Sequence, residues 1–367
     1  MSLRKINVID LFAGAGGLSV GAHQAGANVV ASLEYDSTAC DTLRSNPKYH
    51  GQVIEGDVCD FSGEHLRKMA GLKKREPLVV VGGPPCQPFS KAAYWTEDGD
   101  DAAYRRARAK GMVARKPPAK TAIKKDARRD LVHEFWRLVS DSNADGFVFE
   151  NVPSIRHPRN RPIYDALVSR AKADGYYVTE MVANASEYGV AQARERVIVL
   201  GSRKRPPVQP ERTNSNDPDC KLPMPVTAGE VLKRFGSKRF FEPEEVVTGR
   251  WAKHLEEVPP GWNYKAHTAW AGHPNPTFVT ETRFWNFLLK LAPDRPSWTL
   301  AASPGPWTGP FHWHNRRLRT PELAALQGFP EEYLVVGSRR ERVRQMGNAV
   351  PVPLATAMIK SVLDSLE

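Results

Sequence analysis

Cysteine is scarce in this chain: 4 in 367 residues, at positions 40, 59, 86 and 220. None forms a CxxC pair or stands at a zinc-like spacing from histidine. Chain size and the expected compartment argue against a disulfide framework, and no metal site is read. Uninterrupted apolar runs of membrane-spanning length are lacking too. The opening stretch, MSLRKINVIDLF, has neither the long apolar core nor the cleavage site of a secretory leader. The expected location is therefore the cytosol or nucleus, away from membranes. No internal repeat is found. Two nucleotide signatures are also missing. Gly14, Gly16 and Gly17 do not fit GxGxxG, and no GK[ST] follows them.

Acidic residues are nearly absent from one stretch. Residues 105–129 hold eleven Lys or Arg and a single acid, Asp126, so they carry +10 of the chain's formal net charge of +11. The remainder is close to neutral. Composition of this kind reads as a solvated insertion that can still hold the phosphates of a nucleic acid.

Alternation of strand and helix patterns fills the first 202 residues. INVIDLFA, NVVASLEYD, GQVIEGDV, PLVVVGGPP, GFVFENV, YYVTEMVANA and RERVIVLGS read as strands. Between them, LSVGAHQAGA, STACDTLRSN, RDLVHEFWRLVSDS and PIYDALVSRAKADG have helical spacing. The expected class is α/β, a mostly parallel Rossmann-like sheet with helices on both faces and ligands at the carboxyl ends of its strands. From residue 203 the pattern becomes irregular, rich in Pro and Trp. A smaller domain over 203–342 is expected, with 343–367 returning to the first domain as a helix. The tryptophans of the middle region read as its core rather than as base contacts.

Three features fall on successive strand ends. DLFAGAGG turns from the first strand into a helix, Glu34 ends the second strand, and Asp57 ends the third. An acid at the second position can hold ribose hydroxyls, and one at the third can meet an adenine amino group. Each alone reads as a turn or cap. Together they favour an adenosyl ligand without pyrophosphate, such as S-adenosylmethionine. At the end of the fourth strand, GGPPCQPFS presents Cys86 in a stiff turn that leaves the side chain few places to hide. A reactive thiol needs an electropositive setting, for which Arg128 and Arg129 are candidates. Glu150 ends the apolar strand of FENV. In QARERV, residues Gln192, Arg194 and Arg196 share one face by period two.

The ordered set DLFAGAGG, GGPPCQPFS, FENV, QARERV, RTPELAALQGFP and QMGNAVPVPLA resembles the DNA (cytosine-5)-methyltransferases of bacterial restriction–modification systems. The match runs from residue 6 into the final helix, apart from residues added after Phe89 and a variable middle. The resemblance implies transfer of a methyl group from S-adenosylmethionine, leaving S-adenosylhomocysteine, to C5 of a cytosine flipped out of double-stranded DNA. Cys86 would add to C6, Glu150 would donate at N3, Arg194 would hold O2 and Arg196 would support the site. Phe12, Ala13, Gly14, Gly16, Gly17, Glu34, Tyr35, Asp57, Val58, Pro85, Leu131, Asn348 and Val350 would line the cofactor pocket. Gln87, Ser90, Arg105, Arg106, Arg108, Lys124, Lys125, Arg128 and Gln192 would meet DNA. Residues of about 205–290 would form the target-recognition region, and the insertion of about 91–127 would lie in the catalytic loop. The resemblance further implies a monomer in the bacterial cytoplasm, at the nucleoid, with any cognate endonuclease acting independently and no metal.

Three other readings compete. An RNA cytosine methyltransferase of the same fold would lack a large variable segment. An amino-methyltransferase would carry Asp, Asn or Ser before Pro-Pro, where Gly83 stands. An inactive DNA-binding relative would have lost Cys86, Glu150 or Arg194.

Overall fold

This computed structural model describes residues 5–89, 112–113, 115, 126–278, 285–303 and 305–367. Strands β1 (Asn7–Leu11), β2 (Asn28–Glu34), β3 (Gln52–Glu55), β4 (Leu78–Gly82), β5 (Gly146–Asn151), β6 (Tyr177–Asn184) and β8 (Glu195–Ser202) form one sheet, in the order β3-β2-β1-β4-β5-β8-β6. Pairings among the first five are parallel, and β8 is antiparallel to both its neighbours. The expected α/β class is what the structure shows.

Continuous apolar runs such as LVVVG in β4 are buried along their whole length, as in strands covered on both faces. Period two then sorts the side chains. Ile9, Leu11, Val80, Phe147 and Phe149 join the core on one face, and Val8, Val79, Val81 and Val148 the core on the other. Helices α4 (Gly63–Met69), α5 (Leu131–Asp141) and α6 (Arg161–Ala173) cover the first face. The α5 residues Val132, Phe135, Trp136 and Val139 recur at helical spacing, which makes a single apolar stripe.

The second face is covered by α1 (Gly17–Gln24) and the final helix α11 (Val352–Leu366). A Cβ at Gly21 would lie 2.6 Å from that of Ala355, so glycine sets the close approach of these two helices. By length and hydropathy the helical run Arg339–Leu366 is apolar enough to cross a membrane. Its apolar residues are already spent on the sheet, since Leu354, Met358, Ile359 and Val362 are fully buried there. Each such side chain contributes about 1.5–3 kcal/mol on burial.

Beyond β8, the described chain forms α7 (Ala228–Leu232), α8 (Ala252–Glu257), 3₁₀ turns and strands of two residues, then α9 (Thr320–Leu326) and α10 (Arg339–Asn348). One core here, around Leu255, Val258, Tyr264, Leu288 and Phe311, is local. Another is shared across the expected domain boundary. It joins Ala15, Val20 and Tyr49 to Leu232, Phe235, Leu318, Phe329 and Met346. Among the tryptophans, Trp251 and Trp307 pack on the local core, and Trp298 and Trp313 on the shared one. Trp262, Trp270 and Trp285 stay exposed.

Candidate active site

At the carboxyl edge of β1, β2 and β4 lies a cavity of about 590 Å³. The glycine turn makes one wall. Phe12 adopts φ 57° and Gly14 φ 54°, a left-handed pair in which the phenylalanine is the strained member. Gly17 meets the C-terminal segment so closely that a Cβ there would sit 2.1 Å from the carbonyl oxygen of Val350. Glu34 reaches back to this turn. One of its oxygens accepts from the Gly14 amide at 2.7 Å, and the other accepts from the Asp36 amide at 2.8 Å. Burial pushes the Glu34 carboxyl above its ordinary range, against these two bonds. Asp57 caps a 3₁₀ turn through the Cys59 amide and also lines the cavity.

The opposite end is built from β4, β5 and β8. A bond from Asn151 Nδ2 to the carbonyl oxygen of Pro84, 3.1 Å, holds the Pro-Pro-Cys turn to β5. Glu150 pairs with Arg196, Oε1 to Nε 2.6 Å, and both side chains are nearly buried. Arg194 is 2% exposed, and its Nη2 donates to the carbonyl oxygen of Gly347 at 2.9 Å. Its Nε and Nη1 are buried with no hydrogen-bond partner among the described residues. Desolvation, helped by Arg196, lowers the Arg194 pKa to about 9. Cys86 is half-buried, and burial pushes its thiol up. Arg196 and Arg194 pull it down by less, and Glu150 adds to the rise.

Cys86, Glu150, Arg194 and Arg196 all line this one cavity. So do Phe12, Ala13, Gly14, Gly17, Glu34, Tyr35, Asp57, Val58, Pro85, Leu131, Asn348 and Val350. Gly16 does not. At φ 80° it packs underneath, where a Cβ would meet His50 at 2.2 Å and the Tyr333 hydroxyl at 2.9 Å. Among the residues expected to meet DNA, Gln87 and Arg128 line the cavity mouth. Ser90, Arg105, Arg106, Arg108, Lys124 and Lys125 lie outside the described residues, as does most of the insertion.

Gln192 lies apart from the cavity. It is fully buried in β7 (Gln192–Ala193) and does not line it. Its Nε2 donates to the Leu326 carbonyl oxygen and to Gln327, and its Oε1 accepts from the Leu300 amide. Period two does give Gln192, Arg194 and Arg196 a common burial pattern. However, β7 pairs with β9 (Ser297–Trp298) rather than with the main sheet, so only the two arginines reach the cavity. The proposed partners of Cys86 change as well. Arg128 is paired with Asp126 at 2.8 Å, and Arg129 is buried over the Phe89 ring. The positive charges that act on the thiol are Arg196 and Arg194.

Sequence reasoning missed Arg344 and Asp36, which meet at 2.8 Å on the cavity wall from positions far apart in the chain. No local pattern marks such a pair. Asn151 could have been found, since it follows Glu150 directly in FENV.

The family model of C-5 cytosine-specific DNA methylase matches residues 6–364. The chain belongs to that family. It is a DNA (cytosine-5)-methyltransferase, acting on DNA, and membership implies S-adenosylmethionine as methyl donor. The chain is 36% identical to Type II methyltransferase M.SacI of Streptomyces achromogenes, over 99% of its own length and 94% of that relative. To Type II methyltransferase M1.HphI of Haemophilus parahaemolyticus it is 28% identical, over 98% and 87%. A solved structure of a putative DNA modification methyltransferase encoded within an E. coli prophage superposes with a TM-score of 0.66. That likeness has 20% identity and covers 99% of both chains, so it supports the methyltransferase's fold.

The donor set of the methyltransferase cavity fits the cofactor. Each Glu34 oxygen is used once by a backbone amide, which leaves acceptor capacity for ribose hydroxyls. A Cβ at Gly14 would have only the Phe12 carbonyl oxygen near it, at 3.9 Å, so glycine keeps that wall open.

Proposed function

We propose that the enzyme methylates C5 of a cytosine flipped out of a specific double-stranded DNA site, through a covalent bond between Cys86 Sγ and C6. The carrying observation is a single cavity with Glu34 and Asp57 at one end and Cys86, Glu150, Arg194 and Arg196 at the other. When bound at the glycine turn, S-adenosylmethionine supplies an electrophilic methyl group. Everything else falls to the chain's own side chains.

A recessed thiol cannot reach a base stacked in a duplex, so the cytosine is extruded into the cavity. The two unpartnered Arg194 donors fit a carbonyl oxygen such as cytosine O2. Leaving them unmade costs about 1–3 kcal/mol apiece, which a bound base relieves. Cys86 gives up its thiol proton as Sγ bonds to C6, and Glu150, which faces the same space, passes that proton to N3 as charge builds on the ring. Cys86 adds to C6, which turns C5 into an enamine carbon able to accept the methyl group. Loss of the C5 proton to water then lets the Sγ–C6 bond break, and the N3 proton returns to the thiolate. Because burial holds the free thiol protonated, entry of the base and rearrangement of the Glu150–Arg196 pair complete its activation. All these residues belong to one chain, which supports a monomer as the working unit. The Type II names of the relatives support a role as the modification partner in restriction–modification, with an endonuclease acting separately.

The test uses duplex DNA, labelled S-adenosylmethionine and Cys86→Ser. Wild type should transfer label and the variant should lose at least about 10³-fold in rate. A duplex carrying 5-fluorocytosine has no C5 proton to release, so wild type should also form a complex that survives denaturation. Equal transfer by the variant, or no trapped complex in wild type, would contradict the adduct.

A further inference from the structure

The cavity absorbs the titratable groups at the sheet edge but leaves a second cluster unexplained. Glu257 ends α8, His267 ends the 3₁₀ turn Tyr264–His267, and His273 follows Gly272, whose φ of 77° reverses the chain. One donor atom from each of the three side chains lies within 4.8 Å of the other two. His267 is 1% exposed, and its Nε2 is 2.7 Å from the carbonyl oxygen of His254. A carbonyl only accepts, so Nε2 carries the hydrogen. In the neutral ring, Nδ1 then keeps its lone pair. That lone pair faces Glu257 Oε2 at 3.6 Å. Two acceptors so placed repel unless something positive lies between them, either a proton or a metal ion. The His273 ring, centred 5.2 Å from that of His267, brings a second imidazole to the same point. Its Nδ1 accepts from the Asn275 amide at 3.2 Å, an exposed bond that an ion held by this ring has to displace.

We propose that Glu257, His267 and His273 form a divalent transition-metal site suited to Zn²⁺, with water completing the coordination. Two imidazoles and a carboxylate are a donor set that Zn²⁺ accepts. The His254 carbonyl is the outer partner that fixes the tautomer and orientation of His267. The ligands come from three successive turns around a small core of Leu255, Val258, Tyr264, Leu288 and Phe311. An ion there ties the turns together, and its binding free energy becomes folding free energy for that region. The spacing of the three ligands follows no familiar zinc pattern, so no short sequence window marks it.

Full-length, tag-free protein stripped with a chelator would be titrated with ZnSO₄ by calorimetry, with Co²⁺ as a spectroscopic reporter. A single equivalent of Zn²⁺ should bind and raise the melting temperature. Co²⁺ should show d–d absorption without thiolate charge transfer, which separates this site from the exposed Cys59 and Cys220. His273→Ala and Glu257→Gln should each weaken binding about tenfold or more, remove the melting shift, and melt like wild type without metal. Equal Zn²⁺ binding by wild type and the double variant, or none by wild type, would overturn the proposal.

Discussion

Gly83 shows how closely single residues constrain the catalytic end. A Cβ there would lie 2.9 Å from Glu150 Oε2. That oxygen is the far end of a flexible side chain, so the fold can yield at small cost. The carboxylate cannot yield without leaving its place beside Arg196, 2.6 Å away. Gly83→Ala should therefore fold and melt like wild type yet lose up to about 100-fold in kcat, the penalty of a misplaced catalytic group. Single-turnover methylation together with thermal unfolding would check this, and unchanged turnover would show that Glu150 tolerates displacement. Cys86 was legible in the sequence because its turn is so stiff. The partners that act on it were not, because Arg194 and Arg196 reach it across β5 and β8.

At the scale of elements, the turn from β1 into α1 rests on a buried polar chain. Asp10 accepts from the Ser19 amide at 3.0 Å and from the Ser19 hydroxyl, which lies 3.1 Å from that of Ser32. Ser32 donates to the His50 carbonyl oxygen, and the Tyr333 hydroxyl bridges His50 Nε2 and the carbonyl oxygen of Ala15. Burial raises the Asp10 pKa from 3.8 to about 7, against the Ser19 bonds, and lowers that of His50 to about 3. Between 3.8 and about 7 the unfolded chain releases a proton that folded Asp10 keeps. Stability should thus fall as pH rises through that window and level off above it. Asp10→Asn keeps an acceptor for the Ser19 amide and removes the titration. Urea unfolding from pH 4 to 8 should show wild type losing up to about 4 kcal/mol relative to the variant, and a pH-independent difference would contradict the assignment. The strand and helix themselves were plain in the sequence. The chain of polar groups was not, since Tyr333 arrives from the far end of the molecule.

For the molecule as a whole, the dominant quantity is charge. Residues 105–129 hold nearly all the net positive charge, and two of their arginines are already engaged, Arg128 with Asp126 and Arg129 over Phe89. The other basic residues are the candidates for phosphate contact. Replacing Arg105, Arg106, Arg108, Lys120, Lys124 and Lys125 with Gln should weaken DNA binding and flatten its salt dependence. If all six met phosphate, the log–log slope would fall by about 5. Binding isotherms at several salt concentrations would measure this, and an unchanged slope would mean that the segment does not touch the backbone.

The sequence by itself determined the strands of the main sheet and most of the helices on it, though not the short α4, together with the two-sided burial of the sheet and the motifs that mark the family. These depend on local periodicity and on residue types within short windows. Only the tertiary structure decided which marked residues meet. It kept Arg194 and Arg196 at the cavity, withdrew Gln192 into a buried crosslink with Gln327, and brought Arg344 to Asp36. It also gathered Glu257, His267 and His273 around one point. Such meetings depend on strand pairing and chain crossings between distant residues, which no local window contains.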